Sequence, residues 1–215
     1  MKQLNNYRRT VQYLTKIYNL ANQDFFNGEL PEVTLTVQEN MGTYGHISVS
    51  DTWFTTDGKG MRELNIAAQH LTRPIENVVS TILHEMSHLY NMEHNIKDCS
   101  GYYHNKKFKK TAEEIAGLII SQDSKYGWTI TEPGERVLDF CIRHELEDIQ
   151  IGKGIDWTAF FGGSGSGSTP TATPKPKKKG NSIKWICPCC GQIIRSTRDN
   201  INVICGDCNE QFIKA

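Results

Sequence analysis

The chain has 215 residues, 38% of them hydrophobic and 22% charged, enough for one domain or for one domain with a small appendage. Its 24 Lys and Arg balance its 24 Asp and Glu, which argues against binding of nucleic acid through overall basicity. No apolar run approaches the roughly 20 residues that cross a bilayer, and the polar N-terminus lacks the apolar segment of a signal peptide. We therefore expect a cytoplasmic protein without membrane contacts.

The first 161 residues show helical and strand-like patterns in the order of an α+β fold. Apolar residues recur every three or four positions from Leu4 to Phe25, which predicts an opening helix that ends at Asn27-Gly28. A second helix begins at Pro74 and carries a strong apolar stripe. Three strands are predicted over 33–38, 44–49 and 63–67, and two further helices over 105–120 and 135–149.

A change of composition divides the chain. Residues 162–182 contain Gly, Ser, Thr, Pro and Lys with almost nothing apolar, which predicts a flexible basic linker. The linker separates a large part, 1–161, from a small tail, 183–215. We divide the large part into a domain over 1–125 and an extension over 126–161 that packs on that domain or covers its cleft.

A metal-binding motif lies within the second helix. His84, Glu85 and His88 belong to the sequence HEMSH, an HExxH motif. The i, i+4 spacing places both imidazoles on one helix face, where they can bind one Zn²⁺, and Glu85 is positioned to take a proton from the attacking water. A surface helix with scattered His and Glu is the alternative, but the motif continues the apolar stripe of a strongly patterned helix.

The residues alone leave the third zinc ligand open among His94, His104 and His144. His94 has the metzincin spacing, ten residues after His84, but Asn91 occupies the glycine position of that pattern. No Met follows Met92 to form a Met-turn, so the metzincin pattern fails.

Two segments, ELNIAAQHLTRPIENVVSTILHEMSHLYN and KDCSGYYHNKKFKKTAEEIAGL, closely resemble the SprT-like family of zinc metalloproteases. The resemblance covers residues 1–122 and implies a minimal zincin-like domain, with helices packed on a small β-sheet. It implies that His104, placed between Gly101 and Phe108, is the third ligand and that Glu85 is the general base. It also implies DNA-associated or DNA-crosslinked protein substrates, and with them a role in DNA–protein crosslink repair and stress responses.

The tail carries a second cysteine-based motif. Cys187 and Cys190 form one CxxC knuckle, and Cys205 and Cys208 form another, a spacing typical of a zinc ribbon. Four thiolates leave no open coordination position, so this zinc is structural, and it supplies the folding energy that so short a module lacks. Cys189 is left out because Cys187 and Cys190 have the standard gap. The residues between the knuckles are expected to form a hairpin.

The neutral total charge hides an uneven distribution. Residues 1–161 contain 16 Lys and Arg against 21 Asp and Glu, whereas the other 54 residues contain 8 against 3. A basic tail with an aromatic residue favours DNA contact, with a solubilising linker as the alternative. The candidate contacts are Lys175, Lys177, Lys178, Lys179, Lys184, Trp185, Arg195 and Arg198.

The sequence thus predicts a monomeric protease with one catalytic and one structural Zn²⁺, acting on protein and associated with the nucleoid if the tail binds DNA. The competing hypothesis is an inactive SprT-like scaffold that binds nucleic acid or a partner protein. The intact HExxH motif with His104 argues against the scaffold, because binding alone needs neither an open coordination position nor a base.

Overall fold

The computed structural model describes residues 4–40, 42–154 and 183–214. The predicted linker lies outside these ranges, and Lys175, Lys177, Lys178 and Lys179 lie outside with it. Among the helices of the described ranges, none is both long enough and apolar enough to cross a bilayer.

The opening helix, α1, spans Tyr7–Phe26, as predicted. The Asn6 side chain accepts hydrogen bonds from backbone N–H groups of its first turn, and Asn27 ends it in the left-handed conformation with φ 54°. The buried Asn22 amide exchanges two hydrogen bonds with the Leu30 backbone, which fixes the chain where it leaves the helix.

The three predicted strands are confirmed and form one sheet. These are β1 (Thr34–Gln38), β2 (Gly45–Ile47) and, further along the chain, β5 (Glu63–Ala67). β5 lies in the centre, parallel to β1 and antiparallel to β2. A separate small hairpin joins β3 (Trp53–Phe54) to β4 (Gly60–Met61).

The central helix, α2, spans Ile75–Glu93 and follows a short 3-10 turn, Ala68–His70. Pro74 occupies the N-cap position, and the Asp148 carboxylate accepts the first backbone N–H of the helix at 2.8 Å. The apolar stripe is buried, with Val78, Val79, Ile82, Leu83, Met86 and Leu89 all at 0% exposure. Together with α1 and the sheet it forms one core, which confirms the α+β class.

The helix predicted over 105–120 is wrong beyond its first half. α3 spans Lys106–Glu114, and the chain then passes Gly117, at φ 68°, into strand β8, Leu118–Asp123. In this strand Leu118 and Ile120 are buried and Ile119 is exposed, the alternation that a strand requires. Because all three residues are apolar, the sequence does not show this alternation.

The last predicted helix, over 135–149, is also shorter than expected. α4 spans Glu135–Arg143 and ends where Glu145 adopts φ 49°. Ile149 still packs in the core beyond the helix, which explains why the apolar periodicity extended so far.

A second sheet, missed by the sequence analysis, follows α2. It consists of β6 (Cys99–Ser100), β7 (Tyr103–His104), β9 (Gly127–Pro133) and β8, in that order across the sheet. β7 and β9 run parallel and pair His104 with Gly127. The proposed boundary between residues 125 and 126 falls in the turn between β8 and β9, so the described part of the extension continues the main domain.

The tail forms a small three-stranded ribbon of β10 (Ile183–Ile186), β11 (Ile193–Ser196) and β12 (Ile213–Lys214), with β10 in the centre. The prediction of a hairpin between the two knuckles is wrong. β10 and β11 instead pair antiparallel around the first knuckle, and an isolated bridge between Ile204 and Gln211 closes the second. Each knuckle lies at the tip of a hairpin because its two cysteines must face one ion.

We predict that Gly127→Ala destabilises the main domain by about 2 kcal/mol or more, since overpacking against backbone adds to the strain of a positive φ. A Cβ atom at this residue would lie 2.2 Å from the His104 carbonyl oxygen, and its φ is +73°. Urea unfolding measures the loss. Gly58→Ala is the matched control, because Gly58 has φ +88° with nothing within 4 Å. An equal loss in both variants would contradict the role of close packing.

Candidate metal centres

The structure brings His84, His88 and His104 together. α2 presents the first two side chains one turn apart, and His104 reaches them from the end of β7. The three Nε2 atoms form a triangle with sides of 3.3, 3.3 and 3.1 Å. Tetrahedral zinc with Zn–N bonds of about 2.0–2.1 Å requires Nε2 atoms about 3.3–3.4 Å apart. The donor set therefore fits one zinc ion, and within the described residues it contains these three side chains.

The ring of His88 is held by a buried hydrogen-bond chain. Its Nδ1 lies 2.7 Å from Asp98 Oδ2, and the same carboxylate oxygen accepts from the Asn91 amide at 3.0 Å. The Thr111 hydroxyl on α3 donates to the side-chain oxygen Oδ1 of Asn91 at 2.7 Å. A carboxylate bonded to Nδ1 keeps the proton there and leaves the Nε2 lone pair for a metal.

The other two histidines are oriented from the second sheet. His84 Nδ1 lies 2.8 Å from the Thr131 hydroxyl on β9, and His104 Nδ1 lies 3.3 Å from the Tyr126 carbonyl oxygen. That carbonyl can only accept, so it fixes the His104 proton on Nδ1. Each of the three Nε2 atoms is thus free to face the common centre.

Phe108 lies beneath all three imidazoles. Its ring, fully buried on α3, has its centroid 4.5 Å from that of His84, 4.4 Å from that of His88 and 4.8 Å from that of His104. This apolar base restricts how the rings can tilt and keeps water from reaching them from below.

Glu85 lies beneath strand β2. Gly45 allows β2 to lie this close to α2. A Cβ atom on Gly45 would lie 2.9 Å from the Asn65 carbonyl oxygen, 3.0 Å from Thr81 Cγ2 and 3.4 Å from Glu85 Cγ. Burial raises the pKa of the Glu85 carboxyl to about 7, although the nearby His88 and a hydrogen bond from the Ile47 backbone act in the opposite direction.

Burial lowers the pKa of two of the three imidazoles, those of His84 and His104. It lowers the pKa of His84 well below its usual value, and the proximity of His88 and His104 adds to the effect. The pKa of His104 is lowered by burial and by His88. Burial alone would raise the pKa of Asp98, but the hydrogen bond and charge of His88 hold it low. Neutral imidazoles supported by a carboxylate are the form that binds a divalent metal.

The remaining candidate histidines lie away from this centre. The His94 ring stacks on Tyr90, and its Nε2 lies 3.8 Å from a Glu29 oxygen. His144 Nε2 lies 2.8 Å from an Asp24 carboxylate oxygen, and His46 is an exposed residue of β2. The two tyrosines before His104 are both exposed, Tyr102 at 87% and Tyr103 at 40%.

The four ribbon cysteines form the second cluster. The Sγ atoms of Cys187, Cys190, Cys205 and Cys208 all lie within 4.8 Å of one another, and Cys189 is not among them. The Sγ atoms of Cys190 and Cys205 are 3.7 Å apart, close to the about 3.8 Å edge of a tetrahedron with Zn–S bonds of about 2.3 Å. Backbone N–H groups of Cys190 and Cys189 lower the pKa of the Cys187 thiol to about 7, which favours a thiolate ligand.

The two knuckles share one backbone plan. Gly191 and Asn209, each directly after its CxxC segment, adopt φ values of 73° and 56°. Each donates its N–H to the carbonyl of the first cysteine, at 3.0 and 2.9 Å. Asn tolerates the left-handed conformation better than most residues, so it can occupy the position that glycine has in the first knuckle.

Two of the predicted nucleic-acid contacts have partners within the protein. Trp185 is only 7% exposed and packs with Phe212 in the ribbon core, so its ring offers no face to a base. Arg195 points at Glu76 of the main domain, with Nη1 3.4 Å from Oε1. Lys184 and Arg198 are exposed.

Sequence reasoning missed the residues that orient the ligands: Asp98, Asn91, Thr111 and Thr131. Asp98 follows His88 by ten residues and Thr131 follows His84 by 47, and no motif fixes these spacings. In the sequence, Asn91 stands out only at the glycine position of the metzincin pattern. Its complete burial inside α2 became visible only with α3 in place.

We predict two zinc ions per chain, one held by each cluster. His104→Ala should lose the first, because two imidazoles bind zinc far more weakly than three. Cys205→Ser should lose the second and unfold the ribbon. Metal analysis of the purified variants counts the ions. A wild-type stoichiometry of one, unchanged by His104→Ala, would contradict the first site.

We predict that Asp98→Ala weakens zinc affinity at the histidine site by about 10–100-fold, the usual effect of removing a group that orients a metal ligand. Competition with a chromophoric chelator measures the affinity, with the ribbon zinc as the internal reference. Asp139→Ala is the matched control, since Asp139 is exposed on α4. Equal affinities in both variants would show that Asp98 does not support His88.

Comparison with protein-family models matches residues 14–126 to the SprT-like family. A search of curated proteins and a search of solved structures gave no match. The matched segment includes α2, with the HEMSH sequence, and extends past His104 and α3. It covers more than half of the chain, and the cysteine cluster of the tail is compatible with a zinc ribbon. The chain therefore belongs to the SprT-like family and carries a C-terminal cysteine cluster of the zinc-ribbon type.

Proposed function

We propose that the protein is a zinc-dependent metallopeptidase whose ligands are His84, His88 and His104 and whose general base is Glu85. The observation that carries the proposal is the triangle of three Nε2 atoms, with sides that suit one tetrahedral zinc. A structural site would be closed by a fourth protein ligand, whereas this donor set contains three residues. Three ligands with a carboxylate next to one of them in sequence are an arrangement suited to hydrolysis.

A zinc ion held by His84, His88 and His104 would supply Lewis-acid chemistry at the scissile carbonyl and at the attacking water. The side chains of the protein transfer the proton and orient the ligands. Glu85 accepts the proton of the attacking water and returns it to the leaving amine. Burial keeps the pKa of its carboxyl at about 7, near the value at which one group can both take and give a proton at neutral pH. Asp98 and Thr131 hold the imidazoles of His88 and His84 in place.

We further propose that the substrates are DNA-associated or DNA-crosslinked proteins and that the tail contacts DNA. Support comes from the family and from charge, since residues 1–161 are acidic and the tail is basic. The ribbon itself contributes little to this positive charge, because it contains four Lys and Arg but also three Asp and Glu. The other four lysines of the tail belong to the linker. Together with Lys184 and Arg198 they are the proposed phosphate contacts.

Glu85→Gln should lower the rate of proteolysis by at least about 100-fold, because it removes the general base. Zinc content should stay the same, because the proposed ligands are the three histidines. The measurement is cleavage of an unfolded protein substrate and of a DNA-binding protein, each with no DNA, single-stranded DNA or double-stranded DNA. Glu145→Gln, on an exposed residue, is the matched control and should keep full activity.

Identical behaviour of the wild type and Glu85→Gln in every arm would contradict the enzyme and favour the scaffold hypothesis. If DNA stimulates cleavage through the linker lysines, replacing Lys175, Lys177, Lys178 and Lys179 by Gln should abolish the stimulation and leave the basal rate. Raising the salt from about 50 to about 200 mM should weaken the stimulation steeply, because phosphate contacts release counterions.

A further inference from the structure

The zinc ribbon lies against the main domain. Strand β11 packs on α4. Two side chains, one on β11 and one directly after it, contact carboxylates of the main domain. Arg195 Nη1 lies 3.4 Å from Glu76 Oε1, and the Thr197 hydroxyl donates to Glu135 Oε1 at 3.1 Å. Both carboxylates belong to first turns of helices, Glu76 to α2 and Glu135 to α4.

The Glu76 carboxylate is unusually deeply buried. Its side chain is 1% exposed, whereas 31% of the Arg195 side chain remains exposed. A carboxylate taken out of water loses far more solvation than a surface one, and a cationic partner offsets that loss. The positive end of the α2 dipole contributes as well, but over the first turn only. Arg195 therefore brings a positive charge from the ribbon to a buried negative charge of the catalytic helix.

The surroundings of the pair are also buried. Cys141 of α4 is 5% exposed, and burial raises the pKa of its thiol to about 12, with Glu76 raising it further and Arg195 lowering it. The guanidinium thus acts on groups inside the main domain. Salt in the solvent screens such a contact much less than it screens a surface pair.

We propose that the ribbon is a docked part of the main domain, held by Arg195 on the buried Glu76 carboxylate, and that zinc binding in the ribbon thereby stabilises the helix that carries His84 and His88. Arg195 lies on β11, whose pairing with β10 surrounds the first cysteine knuckle. Without zinc the ribbon has too small a core to fold. Loss of the ribbon zinc therefore removes Arg195 from Glu76.

The contact is made at the end of α2 remote from the zinc-binding residues. Glu76 precedes His84 by eight residues, which is about 12 Å along a helix axis. The docked ribbon therefore supports the catalytic helix from its amino end, and Glu76 and Glu135 form the surface that receives it.

The first test is whether the ribbon and the main domain tumble together. Backbone ¹⁵N relaxation of the zinc-loaded full chain should give the ribbon, 183–214, the same rotational correlation time as the main domain. Arg195→Met should shorten the correlation time of the ribbon alone. Arg198→Met is the matched control, since Arg198 is exposed and next to the same strand, and it should change nothing. Independent tumbling of the wild-type ribbon would overturn the proposal.

The second test measures the coupling of the two charges. Arg195→Met should lower the Tm of the main domain by about 4 °C or more, because it withdraws a cation from a buried carboxylate. In a Glu76→Gln background the same substitution should cost less than half as much, because no buried charge remains. Cys205→Ser should lower Tm as Arg195→Met does, and the two effects should not add. Equal costs of Arg195→Met in both backgrounds would overturn the proposal.

Glu76→Gln also serves as a second variant that leaves the ribbon sequence intact. It should release the ribbon in the relaxation measurement while both zinc ions stay bound. If Arg195→Met itself prevents zinc binding in the tail, this variant decides the question. A ribbon that stays docked in Glu76→Gln would show that the ion pair does not hold it.

Discussion

The constraint on which the structure depends is that α2 is both the central core helix and the carrier of two histidines of the candidate metal centre. One face of the helix is fully buried, with side chains such as Val79, Ile82 and Leu89 at 0% exposure. That packing fixes the rotation of the helix about its axis. His84 and His88 must then point toward the second sheet, where His104 meets them. A helix held less firmly would let the imidazoles drift by more than a metal site tolerates.

The metal centre is assembled from parts that lie far apart in sequence. His104 is positioned by parallel pairing with Gly127, and its ring is oriented by the Tyr126 carbonyl. Phe108 supports all three rings from α3. Bringing three imidazoles within 3.3 Å would be unfavourable if they were charged. Burial lowers the pKa of His84 and His104, so the same environment that forms the core favours the neutral, metal-binding form of these two side chains.

The distribution of charge differs between the main domain and the tail. The neutral total is a cancellation, with −5 on residues 1–161 and +5 on the rest. Within the ribbon the balance is only four Lys and Arg against three Asp and Glu, and Arg195 faces Glu76. The basic character of the tail is therefore concentrated in the linker lysines, and the ribbon is a folded module next to α4 and the first turn of α2.

Sequence alone determined the HExxH helix, the three strands of the first sheet and the cysteine spacing of the ribbon, because each depends on local periodicity or on a fixed local spacing. The likeness to the SprT-like family singled out His104. Sequence did not reveal that 118–123 is a strand, that Trp185 is buried, or that Asp98 and Thr131 orient the ligands. These features were decided by the tertiary structure, because each depends on a partner distant in the chain. A short apolar run has no periodicity that separates helix from strand until its neighbour is present.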